Sequence, residues 1–90
     1  MNIRWTPEAA GDLEHISQRI AEDNQEAALK TARTIFDRIE QLVTFPHRGR
    51  TGREEGTREL VLSPLPYIVV YRVKDSTVEI LHIYHGAQDR

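Results

Sequence analysis

The spacing of apolar positions changes period along this chain, and each change marks an element. Ile3 and Trp5 alternate with polar neighbours, the pattern of a short strand over Asn2–Trp5. Thr6-Pro7-Glu8 then opens a helix. Thr6 can cap it, Pro7 suits the first helical position, and Glu8 favours the positive helix end. Ala9, Leu13, Ile16 and Ile20 follow at spacings of four, three and four, which stacks them on one helical face. Asp23 or Asn24 interrupts this helix, and Asp23 with Glu26 three residues on reads as an acidic capping box. A second helix is predicted over residues 24–43. Its stripe is Ala28, Ala32, Ile35, Ile39 and Leu42, widened by Leu29, Phe36 and Val43. The small Ala28 and Ala32 allow close approach of another helix, so the pair reads as a helical hairpin packed on a sheet. Pro46 lacks an amide hydrogen and biases Phe45 out of the helix, which ends the run.

Regular apolar spacing disappears over residues 47–57, where Gly49, Gly52 and Gly56 alternate with charged residues. This predicts a long loop, the kind of segment that is often functional. Strands follow at residues 58–62, 67–73 and 78–85, the middle one rich in β-branched and aromatic residues. Ser63-Pro64-Leu65-Pro66 separates the first two, because proline cannot continue a ladder. Lys74-Asp75-Ser76-Thr77 is a hairpin turn, and residues 87–90 are a polar tail. The predicted class is α+β in the order βααβββ: a short N-terminal strand and a helical hairpin on one face of a small, antiparallel-rich sheet. The middle strand is apolar on both faces and the hairpin covers one, which predicts a partly apolar surface left for a partner.

Ninety residues allow one domain, expected to span residues 1–90. Hydrophobic residues at 39% and charged residues at 29% exclude a disordered chain. Twelve basic and fourteen acidic residues give a net charge of −2, so no global positive field draws the chain to nucleic acid. With no cysteine there is no disulfide framework and no thiolate zinc site. His82 and His85 stand three apart on a strand and face opposite sides, so they cannot chelate one metal, and with no Gly-rich phosphate loop either, no cofactor is expected. The opening residues lack the apolar core of an export signal, and no run approaches a membrane span. The expectation is a cytoplasmic protein without a membrane partner.

Local chemistry concentrates in two places. Arg48, Arg50, Arg53 and Arg58 crowd eleven positions, partly offset by Glu54, Glu55 and Glu59. They read either as a solvated loop or as a patch for phosphates or an acidic protein. His85, at a strand end before Gly86, is placed to act as an acid or base. Tyr71 and Tyr84 can stack, donate a proton, or fill core edges. Arg72 shares a strand face with Ile68 and Val70 and marks that face as partly open.

Several ordered pieces carry a family likeness. They are Ile3-Arg4-Trp5-Thr6-Pro7-Glu8-Ala9 with Asp12-Leu13, the junction Ile20-Ala21-Glu22-Asp23-Asn24, the Phe45-Pro46 break, and Gly52-Arg53 followed by Gly56-Thr57-Arg58-Glu59-Leu60-Val61. The strongest is Pro66-Tyr67-Ile68-Val69-Val70-Tyr71-Arg72-Val73 with Val78-Glu79-Ile80-Leu81-His82-Ile83-Tyr84-His85-Gly86-Ala87. Together they resemble the RelE/ParE superfamily of bacterial toxins over essentially the whole chain. The resemblance implies a type II toxin–antitoxin toxin, with the growth inhibition and plasmid stabilisation such systems bring. A cognate antitoxin would fold its flexible C-terminal segment over the toxin in a hetero-oligomer, with Leu13, Ile16, Ile20, Leu29 and Phe36 as the implied contacts. RelE-like members are ribosome-dependent, metal-independent mRNA endoribonucleases, for which Arg58, Arg72, Tyr84 and His85 would be the catalytic set. ParE-like members bind and poison DNA gyrase. Two departures from the nuclease pattern favour the ParE-like branch. Ser63 stands where the nucleases carry arginine, and residues 86–90 hold only Arg90 and no tyrosine. The expected target-binding patch is then Arg48, Arg50, Arg53 and Arg58. A non-toxic family member that still binds an antitoxin is the further alternative.

Overall fold

A computed structural model describes residues 1–87. Strand β1 (Asn2–Trp5) leads into helices α1 (Pro7–Asp23) and α2 (Gln25–Glu40), and α2 closes in a 3₁₀ turn over Gln41–Val43. Strands β2 (Arg50–Thr51), β3 (Arg58–Val61), β4 (Tyr67–Lys74) and β5 (Thr77–His85) follow. They form one five-stranded sheet in the order β1-β5-β4-β3-β2. The pairings among β2, β3, β4 and β5 are antiparallel, while β1 runs parallel to β5 at the far edge. The α+β class and the hairpin of helices are as the residue pattern predicts. The expected tail falls mainly outside the described residues.

Local chemistry sets the boundaries. Thr6 caps α1 by accepting from the Ala9 amide at 3.2 Å, and its own hydroxyl donates to the Ile80 carbonyl at 2.7 Å. One residue therefore ends β1, starts α1 and pins both to β5. Asn24, not Asp23, caps α2: its Oδ1 accepts from the Ala27 amide at 3.0 Å. The link between the helices is this one extended residue, which forces the tight hairpin. The segment 47–57 is more ordered than its composition suggests, because Arg50 and Thr51 pair with Glu59 and Arg58 and add a strand beyond the predicted order. Asp75 and Ser76 both adopt positive φ, as a two-residue hairpin turn between twisted strands requires.

The core lies between the helices and one sheet face. Ile35, Ile39 and Leu42 come from the α2 side, meeting Leu60, Leu62, Val69, Tyr71, Val78, Ile80 and Ile83. Each such side chain contributes about 1.5–3 kcal/mol on burial. Ile80 and Ile83 share this face although they are three apart. Tyr71 pairs with Ile80 and Val70 with His82, so Leu81 is an extra, bulged residue that resets the alternation. The opposite face of the sheet is uncovered. It is more polar than the apolar run in β4 suggests, because Glu59, Glu79, Arg72 and His82 interleave with Ile68 and Val70.

Candidate functional site

The open sheet face is dominated by ion pairs. Glu79 is almost fully buried and accepts from both Arg4 and Arg72. These two guanidinium groups hold its carboxyl down at about pKa 2. One strand away, Glu59 accepts from Arg50 at 3.0 Å. Each carboxylate lies beneath the arginine that covers it, so these cations are largely neutralised by the protein itself.

The basic segment sits at the β2 end, and two side chains organise it from below. Tyr71 is fully buried; its hydroxyl donates to the Pro46 carbonyl at 2.8 Å and accepts from the Gly49 amide at 2.9 Å. Burial pushes this phenol pKa upward. Arg58, paired with Tyr71 across β3 and β4, donates to the carbonyls of Gly49 at 2.8 Å and His47 at 3.3 Å. Glycine is required at position 49 by close approach: a Cβ there would lie 2.8 Å from the Tyr71 ring and 2.9 Å from the Glu59 carbonyl. Arg48 projects outward, its guanidinium 4.7 Å from the Phe45 ring centre and bonded to Gln41 Oε1 at 2.9 Å.

Two grooves flank α1. Beyond Ile80, β1 no longer runs beside β5, and α1 faces this uncovered edge. The opening there is about 870 Å³, walled by Ile16, Ile20, Arg19, His82, Ile83 and His85. Asp12 occupies part of the edge, accepting from the Ile83 amide at 3.0 Å and contacting His82 Nδ1 at 3.3 Å. On the other side a shallower groove of about 440 Å³ runs between the helices, lined by Trp5, Leu13, Ala32 and Phe36. Phe36 stacks on Trp5 with ring centres 6.3 Å apart.

Residues 3–90 match the family profile described as ParE toxin of type II toxin–antitoxin system, parDE. The chain belongs to this toxin family. Its relatives include the protein Y4kP of Sinorhizobium fredii, 41% identical over 86 residues, covering 96% of this chain and 88% of the relative. Toxin RelE2 of Caulobacter vibrioides is 36% identical over 86 residues, covering 96% of each. Among solved structures, a chain of the chromosomal ParDE toxin–antitoxin system from P. aeruginosa superposes with a TM-score of 0.85 at 32% identity, covering 94% of this chain and 95% of that one. The protein is therefore a type II toxin of the RelE/ParE superfamily, with that superfamily's fold.

Against this family background, the placement of the candidate residues is informative. Arg58 and His85 lie opposite Tyr71 and Tyr67 and so point to the helix-side face of the sheet. Arg72 and Tyr84 lie opposite Glu79 and Ile68 and point to the open face. The four residues of the nuclease set are thus divided between the two faces. His85 Nδ1 accepts from the Ala87 amide at 3.1 Å, and its ring meets Tyr67 edge-on at 5.7 Å. Of the basic cluster, Arg50 is paired with Glu59, Arg58 holds the backbone of the loop, and Arg48 and Arg53 are exposed. Of the toxin's five candidate antitoxin contacts, Leu13 and Phe36 line the groove between the helices, while Ile16 and Ile20 line the one beside β5. Leu29 stands apart, 70% exposed on α2. Among the described residues no cluster of three or more His, Asp or Glu side chains is gathered for a metal ion, and no helix is long and apolar enough to cross a membrane.

Asp12, Tyr71 and Arg38 are residues whose positions matter more than their local pattern implies. Arg38 ties α2 to the end of β3, donating to the carbonyls of Val61 at 3.3 Å and Ser63 at 3.1 Å. Each is a polar group acting on backbone distant in sequence, and local periodicity carries no signal for that.

Proposed function

We propose that this toxin acts in the cytoplasm by binding and inhibiting DNA gyrase, and that a cognate antitoxin neutralises it by wrapping α1. One observation carries the first part: the arginines of the open face are tied to buried carboxylates, with Glu79 held under Arg4 and Arg72. Cleaving RNA through its own 2′-hydroxyl needs a base, an acid and cations aimed together at the developing phosphorane charge. Arg72 already spends its charge on Glu79, and Arg58 faces the other side of the sheet. Such a site is poorly suited to phosphate, whereas inhibition by binding needs no convergent catalytic set.

The two grooves support the antitoxin half of the reading. They lie on either side of α1, one with apolar walls from Ile16 and Ile20 and the other with walls from Leu13 and Phe36. A flexible segment that orders on binding can cover both at once, which suits the use of a disordered tail.

The test is supercoiling by purified gyrase with the free toxin added. Loss of supercoiling with a trapped cleavage complex is expected. Unaltered supercoiling, together with primer-extension stops on ribosome-bound mRNA after induction, would replace gyrase by the endoribonuclease reading.

A further inference from the structure

The arginines of the basic segment differ in what is left for a partner. Arg50 is paired with Glu59, and Arg58 turns its Nη1 inward to the carbonyls of His47 and Gly49. Arg48 donates to a neutral amide, Gln41 Oε1, and lies over the face of Phe45. It forms none of the carboxylate pairs found among the described residues. Its charge is therefore presented outward without compensation. Beside it one apolar side chain is left bare: the Phe45 ring, 53% exposed. An arginine stacked on an exposed aromatic ring is the composition of a protein-binding hot spot.

The backbone beneath is built to hold this arrangement. Tyr71 and Arg58 together engage the Pro46, His47 and Gly49 carbonyls and the Gly49 amide. With four backbone groups fixed by side chains of β3 and β4, little ordering remains to be done on association, which lowers the cost of binding.

We propose that the projection made by Phe45 and Arg48 is the surface with which this toxin engages its target. It fits a protein surface that presents acidic side chains around an apolar patch. Tyr71 is its positioning residue. This rests on the reading of the toxin as a binding inhibitor. The projection uses none of the side chains that line the two grooves beside α1, so target and antitoxin address separate residues.

The test uses Arg48→Ala and Phe45→Ala in the gyrase supercoiling assay, with Lys74→Ala as a distant control and circular dichroism to verify folding. Each of the two variants should raise the half-inhibitory concentration about tenfold or more, the scale of hot-spot truncations. The control should match the wild type. Tyr71→Phe should also weaken inhibition, speed hydrogen exchange at the Gly49 amide, and leave affinity for the antitoxin unchanged. A merely structural role would move both affinities together. Inhibition by Arg48→Ala and Phe45→Ala equal to the wild type would overturn the proposal. If the wild type leaves gyrase untouched, the gyrase reading fails on that control alone. The same variants are then scored by growth arrest on induction. Loss of arrest supports the projection as the target surface; full arrest by both variants, or no arrest by the wild type, overturns it.

Discussion

Replacing Tyr71 with Phe removes one oxygen from the core. The ring is fully buried and Phe fills the same space, so the loss is confined to the hydroxyl. That hydroxyl donates to Pro46 O at 2.8 Å and accepts from Gly49 N at 2.9 Å. Gly49 is buried, so its amide would have no replacement partner, whereas half-buried Pro46 can recruit water. A net hydrogen bond is worth about 1 kcal/mol, and a buried donor left unpaired costs about 1–3 kcal/mol. The expected loss is about 2–3 kcal/mol. In a domain of this size that lowers Tm by roughly 10 °C or more, at about 4–8 °C per kcal/mol. Gly49→Ala breaks the same joint from the other side, since its Cβ would press on the Tyr71 ring. The double variant should therefore cost clearly less than the two single losses added together. Urea unfolding followed by circular dichroism, with midpoints compared at constant slope, measures all three. A loss below about 0.5 kcal/mol for Tyr71→Phe, or strict additivity in the double variant, would refute this account of the joint.

The remaining predictions concern charge, partner and core. Glu79 has its pKa lowered to about 2 by Arg4 and Arg72, so the stability it contributes is present above the ordinary carboxylate range and lost as pH falls through about 2. Glu79→Gln should be less stable than wild type at neutral pH, with the gap closing in acid; parallel melting curves down to pH 2 would count against the ion-pair account. Phe36 is 47% exposed, so Phe36→Ala should cost little stability. Its affinity for the antitoxin, read by calorimetry, should drop about tenfold, and unchanged affinity would remove the inter-helix groove from the antitoxin site. Ile39 is fully buried, and Ile39→Ala should cost about 2–5 kcal/mol in urea unfolding. A loss under about 1 kcal/mol would mean that the core closes around the gap.

Much of the fold was legible locally. The cap at Thr6, the helix break at Asp23-Asn24, the stop at Pro46, the apolar stripe of α2 and the hairpin at Asp75-Ser76 depend on neighbours within a few residues. Short-range periodicity records such preferences directly. Family membership was legible for a related reason, since it rests on ordered runs of these same residues. The segment 47–57 was less so. Its glycines and charges resemble a loose loop, and its order comes from Tyr71 and Arg58, which lie outside it or at a strand edge beyond it.

The sequence alone determined that this chain makes a strand, two amphipathic helices and a run of antiparallel strands, and that arginines cluster near residue 50. Tertiary structure decided what each arginine does. Arg4 and Glu79 are 75 residues apart, yet the parallel pairing of β1 with β5 makes them neighbours. The Leu81 bulge fixes which side chains of β5 reach the core, and the β3–β4 register sends Arg58 and Arg72 to opposite faces. Whether a cation is spent on a buried carboxylate, spent on a backbone carbonyl, or left for a partner depends on which strands meet and in what register. Long-range packing settles that, and local pattern does not encode it.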